Sequence, residues 1–189
     1  MFVLKKEYFF IIKNINDINL NLIKRYNKFN IIFRNSDDIL DISVIIKFRN
    51  KCKLKKIKFF VANNARLAVA LKADGIYLSS SNNNFRYLSF LNLGFCLIGG
   101  AHNFKEIYQK MKQGCQKIIV SKLFKVAAKP GGKIYNVIKF NNLQFFYKNI
   151  IPLGGIKLGN INKLKIVNSN AFTIMSEIKK KPAISSRLF

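Results

Sequence analysis

Short apolar runs recur along this chain at intervals of roughly 20 to 25 residues and alternate with amphipathic stretches. Runs at 8–12, 30–34, 57–62, 75–79, 95–99, 117–121, 150–153 and 171–175 read as strands. Between them, Ile15, Ile18, Leu22, Ile23 and Tyr26 fall on one helical face, and residues 38–48, 65–71, 137–147 and 160–167 read as further helices. The helix around 85–90 is poorly marked. The clearest one follows the fifth strand: Phe104, Ile107, Tyr108 and Met111 stand at i, i+3, i+4 and i+7. Asn103 is positioned to cap it, with Glu106 three residues on and Gly114 at its end. Eight strand–helix units predict a parallel α/β fold, and that number favours closure into a (β/α)8 TIM barrel. The rival is an open doubly wound sheet, against which stands the absence of G-x-G-x-x-G after the first strand.

A length of 189 residues suits one domain, and a hydrophobic share of 50% excludes general disorder. No linker divides the chain, so residues 1–178 are expected to form the barrel and 179–189 a basic C-terminal tail, with the eighth helix short or missing. The net charge of +26 invites an anionic partner, but the lysines run through the whole sequence without forming one block, which reads as solvated helix faces. Nucleic acid is therefore not the expected partner, and no aromatic RNA-binding signature is present. Cys52, Cys96 and Cys115 lack zinc spacing, and His102 is the sole histidine, so the thiols are expected to pack in a reducing cytosol. The first residues lack the apolar core and cleavage site of a signal peptide, and no stretch approaches the ~20 apolar residues of a membrane helix. The expectation is a cytoplasmic protein with no membrane partner.

Five segments, in order, carry a resemblance. Ala73-Asp74-Gly75-Ile76-Tyr77-Leu78 is similar to A-D-G-[VI]-H-L. Ile98-Gly99-Gly100-Ala101-His102-Asn103, with Glu106, is similar to I-G-x-S-x-H-[ST]-x-x-E, one residue short between glycine and histidine. Lys129-Pro130-Gly131 resembles T-K-P-G, and Pro152-Leu153-Gly154-Gly155-Ile156 a shortened P-V-x-A-x-G-G-I. The segment from Ala171 to Ile178 resembles G-V-A-V-V-S-A-I. Together they resemble the thiamine-phosphate-synthase/TenI family. The resemblance implies a barrel that handles a thiazole phosphate. Synthases join it to a pyrimidine pyrophosphate, whereas TenI-type members aromatise a thiazole tautomer by moving a proton.

Departures from the family pattern bear on which activity to expect. The synthases' Q-L-R-x-K after strand two keeps only Arg34, and the threonines before Lys129 are replaced by Val126 and Ala128. The two acids that hold Mg²⁺ in synthases correspond to Asn63 and Asn82. A hard dication prefers carboxylate oxygens, so Mg²⁺ is expected only if synthase activity survives; no other cofactor is implied.

Candidate site residues follow. His102, after strand five, is the candidate acid/base group, since imidazole titrates near neutrality; the plain alternative is a residue leading into a capped helix. Gly154 and Gly155 after strand seven, with Met175 and Ser176 after strand eight, are expected to turn backbone N–H groups to a phosphate, the alternative being an ordinary tight turn. Arg34 and Lys129 are candidate phosphate partners or surface charges, and Ser121, Asn63 and Asn82 candidate ligand contacts or loop residues. Asp74 is expected to serve the helix-to-strand turn. The readings that remain are a TenI-like protein binding or tautomerising a thiazole phosphate, a divergent thiamine-phosphate synthase, and a non-catalytic binder of a small phosphorylated ligand. A homo-oligomer is left open.

Overall fold

The computed structural model describes residues 7–23, 28–35, 41–126 and 134–175. Within them lie β1 (Glu7–Ile12), β2 (Phe29–Phe33), α1 (Ile42–Leu54), β3 (Lys58–Ala62), α2 (Ala65–Ala70), β4 (Gly75–Leu78), α3 (Ser89–Asn92), β5 (Cys96–Ala101), α4 (Phe104–Lys112), β6 (Lys117–Ser121), α5 (Asn136–Phe146), β7 (Ile150–Leu153) and β8 (Ala171–Ile174). Each strand pairs in parallel with the next, and β8 returns to β1 with Glu7 opposite Ala171 and Phe10 opposite Ile174. This closure rules out the open doubly wound sheet.

Parallel strands wrapped by helices are buried on both faces, which is why they read as continuous apolar runs. Alternate residues divide between two cores. Phe9, Ile11, Ile32, Phe60, Tyr77, Ile98, Ile119 and Ile151 fill the barrel interior. Phe10, Phe33, Phe59, Leu97, Val120 and Phe172 face outward to the helices. Phenylalanine supplies much of the outer layer: Phe10 stacks on Phe29 at 5.5 Å and Phe33 on Phe59 at 6.0 Å. Asp74 takes the Phe59 N–H at 2.7 Å and the Arg49 guanidinium at 3.1 Å, locking the turn from α2 into β4 at the N-terminal side of the barrel.

Several local expectations need correction. The first predicted helix is replaced, over its described part, by two single 3-10 turns, Ile15–Asp17 and Leu20–Leu22. The cause is the local side chains. Asp17 takes the N–H groups of Lys13 and Asn14, Asn14 takes that of Asn16, and Asn19 takes that of Asn21, all at 2.9–3.0 Å. Such bonds divert the backbone from a helical ladder. The helix predicted at 38–48 starts instead after Asp41, whose carboxylate takes the Ser43 N–H at 2.8 Å, and it runs on to Leu54. The segment expected as a helix at 160–167 is 3-10 (Leu158–Ile166), with Asn160 bonding back to the Lys157 N–H at 2.7 Å. Residues 176–189, including the expected tail and eighth helix, lie outside the described residues. Among the described residues no helix is long and apolar enough to cross a membrane.

Candidate functional site

The C-terminal rim gathers every sequence-predicted site residue that the structure describes. Lys129 and Ser176 lie outside the described residues. Arg34 follows β2, Asn63 follows β3, Asn82 sits in the loop after β4, His102 follows β5, Ser121 ends β6, Gly154 and Gly155 follow β7, and Met175 follows β8. Ser121 is on the same side of its strand as the inward-facing Ile119, and Met175 packs against the interior cluster.

After β7 the chain turns through Gly154 (φ +99°) and Gly155 (φ +68°), a region L side chains rarely adopt. A Cβ at Gly155 would also lie 2.7 Å from the Phe124 and Lys125 backbone, so the turn is pressed against the loop after β6. The Gly154 carbonyl accepts the Phe124 N–H at 3.0 Å and the Gly155 carbonyl accepts Asn160 Nδ2 at 2.6 Å. Among the described residues, neither glycine's own N–H has an acceptor. Leu153 is opposite Thr173, which brings the β7 turn and Met175 to neighbouring places on the rim.

His102 is tied to the first turn of α4. Glu106 Oε2 accepts the His102 backbone N–H at 2.7 Å and lies 3.0 Å from His102 Nδ1. Asn103 and Glu106 complete a reciprocal cap: Glu106 N–H to Asn103 Oδ1 at 2.9 Å, and Asn103 Nδ2 to Glu106 Oε1 at 2.7 Å. Burial would raise the Glu106 carboxyl, but the hydrogen bonds from His102 and Asn103 and the His102 charge together hold it below the usual glutamate range. The imidazole is 57% exposed, so with Nδ1 oriented by the carboxylate, Nε2 is the nitrogen left for a ligand. Behind it, the Tyr135 hydroxyl donates to the His102 carbonyl at 2.9 Å and its N–H to the Lys122 carbonyl at 2.8 Å, joining the rim after β5 to the loop after β6.

Asn63 and Asn82 meet. Asn63 Oδ1 accepts both the Ser79 N–H at 2.9 Å and Asn82 Nδ2 at 3.0 Å, while Asn63 Nδ2 donates to Ser79 Oγ at 3.0 Å. Asn82 Oδ1 accepts the Asn84 N–H at 3.0 Å. Both amide oxygens are therefore engaged within the protein, and no carboxylate stands at either position. This donor set does not fit Mg²⁺, which demands free oxygen ligands in near-octahedral array.

Sequence reasoning missed Tyr77. It stands where the resembling motif carries histidine, points into the barrel, and reaches Gly100 so closely that a Cβ there would fall 2.2 Å from its hydroxyl. Burial pushes its phenol up, and the nearby Arg34 charge partly offsets that. The motif position was the only available signal. The three cysteines are free, and burial pushes Cys52 and Cys115 up to about 12, consistent with packing.

A closed parallel eight-stranded barrel with its polar groups on the C-terminal rim defines a (β/α)8 protein of the kind that carries its site at the strands' carboxyl ends. A thiamine monophosphate synthase (TMP-TENI) family model matches residues 29–178, and the chain belongs to that family. Relatives include a thiamine-phosphate synthase of Prochlorococcus marinus strain AS9601, 28% identical over 77% of this chain and 42% of its own length. One from Clostridioides difficile strain 630 is 25% identical over 76% of this chain and 69% of its own length. The chain thus spans under half of the Prochlorococcus relative. Among solved structures, thiamine phosphate pyrophosphorylase from Pyrococcus furiosus superimposes with a TM-score of 0.75 at 12% identity, covering 98% of this chain and 96% of that one. Phosphoribosyl anthranilate isomerase from Thermotoga maritima gives 0.65 at 11% identity, covering 93% and 90%. These likenesses show the fold.

Proposed function

We propose that this chain is a TenI-like member of its family, which binds a thiazole phosphate at the barrel mouth and moves a proton on it, in the cytoplasm. The turn at Gly154 and Gly155, with the start of the loop after β8, holds the phosphoryl group through main-chain N–H donors. His102 serves as the acid/base group. Aromatising a thiazole tautomer takes one proton from the ring system and returns one elsewhere on it, so a single imidazole suffices. Glu106 orients Nδ1 and favours the imidazolium that forms in passing. The observation that carries this reading is the His102–Glu106 pair on the rim, 3.0 Å apart, with the second ring nitrogen left for the ligand.

The curated relatives, named as synthases, favour a second reading: a divergent thiamine-phosphate synthase joining the thiazole phosphate to a pyrimidine pyrophosphate. The neutral amides at Asn63 and Asn82 weigh against it, since a pyrophosphate leaving group needs its charge neutralised. An assay of pyrophosphate release with Mg²⁺ separates the two, and the TenI-like reading expects none.

A thermal-shift screen tests the ligand. Thiazole phosphate should raise Tm where unphosphorylated thiazole does not. Equal behaviour of the two at saturation would remove the phosphate site. His102→Ala should abolish tautomerisation, a loss of about 10²-fold or more, while leaving the phosphate-dependent shift in place. Binding without turnover in the unmodified protein would leave only a phosphate-ligand binder.

A further inference from the structure

Lys110 is the one fully buried lysine among the described residues. Its side chain leaves α4, crosses β5 at Gly99, and ends beneath the loop after β4. A Cβ at Gly99 would lie 2.7 Å from Lys110 Cγ and 2.8 Å from its Cβ, so the absence of a side chain there opens the path. The ammonium donates to the Asn82 main-chain carbonyl and, at 2.9 Å, to Gln113 Oε1. Gln113 Nε2 in turn donates to the carbonyls of Asn82 at 3.1 Å and Asn84 at 3.0 Å. Burying an ammonium against neutral acceptors is unfavourable, and burial lowers its pKa. No carboxylate is hydrogen-bonded to it among the described residues. The cation therefore sits without a contact ion, its burial offset only in part by the Glu106 charge, against the very residue whose side chain bonds to Asn63.

We propose that the rim between β3 and β4 works without a divalent cation, the buried Lys110 ammonium standing as the fixed positive charge and the Asn63–Asn82 amide pair closing the place where the synthases hold Mg²⁺. Two independent features meet here. The amide oxygens are consumed by internal hydrogen bonds, and a positive charge is already installed against the backbone of one of them. An added dication would have to break the first and overcome the second. The inference rests on the geometry at Asn63, Asn82 and Lys110 and not on which ligand the mouth takes.

The test uses Mg²⁺ alone, so its outcome is separate from that of the thiazole phosphate screen. The unmodified protein should show no saturable Tm change up to about 20 mM Mg²⁺, whereas Asn63→Asp/Asn82→Asp should gain a saturable rise of a few °C, on the order of 3 °C. Adding Lys110→Met to that diacid variant should tighten Mg²⁺ binding by at least about tenfold, because the nearby ammonium no longer repels the ion. A lysine that only packs would leave the affinity unchanged or weaken it. Saturable Mg²⁺ stabilisation of the unmodified protein, or a diacid variant that ignores Mg²⁺, would overturn the proposal. Unchanged Mg²⁺ affinity on removing Lys110 would overturn its part. Should the diacid chain fail to fold, Asn82→Asp with and without Lys110→Met gives the same comparison with the same deciding outcomes.

Discussion

A single methyl group at Gly155 would meet backbone on one side and an unfavourable φ on the other. Gly155→Ala should therefore cost about 2–4 kcal/mol, combining left-handed strain with a clash that backbone atoms cannot relieve. Urea denaturation at constant m-value checks this. Tyr77 and Gly100 form a second residue-scale pair. Gly100→Ala should destabilise by about 1–3 kcal/mol in the presence of the Tyr77 hydroxyl and by at least about 1 kcal/mol less in Tyr77→Phe. A double-mutant cycle that closes to zero would refute that contact. At this scale the sequence was legible wherever a motif placed a residue directly after a strand, as for Asn63, His102 and Gly155. Tyr77, Lys110 and Tyr135 were not legible, because their partners lie far away in the chain: Tyr135 meets a carbonyl 33 residues back, and Lys110 one 28 residues back.

Helix α4 shows that apolar periodicity identifies an element without fixing how much of its stripe is buried. Its cap at Asn103 and Glu106 forms as the sequence motif predicts. Of the apolar stripe only Ile107 is buried, beside Lys110 and Gln113, while Phe104, Tyr108 and Met111 are about half exposed. Ile107→Ala should accordingly cost about 2–4 kcal/mol, whereas Tyr108→Lys should stay within about 0.5 kcal/mol, both measured by denaturant midpoint. The cap also carries a pH signature. The Glu106 carboxyl titrates below its ordinary value of 4.5 in the folded chain, so its contribution is complete above that value and is lost as pH falls through the lowered one. The stability gap between the unmodified protein and Glu106→Gln should shrink as pH falls below about 4.5. Elsewhere the asparagine-rich connections defeated helix prediction, because apolar spacing at Ile15 and Ile18 says nothing about the side-chain bonds of Asn14, Asp17 and Asn19.

The eight-strand count, the parallel order and the apolar character of the strands are all legible in the sequence, since both faces of such strands must be covered. Closure rests in the sequence on the number of strands alone, and the β1–β8 register supplies it in the structure. The whole molecule brings the β7 turn beside the end of β8, and this juxtaposition underlies the phosphate reading. The direct measurement is an amide chemical-shift titration of 15N-labelled protein with thiazole phosphate. The signals of Gly154 and Gly155 should move saturably with the phosphorylated ligand and stay still with unphosphorylated thiazole. Saturation of the protein with both glycine signals unmoved would contradict the account.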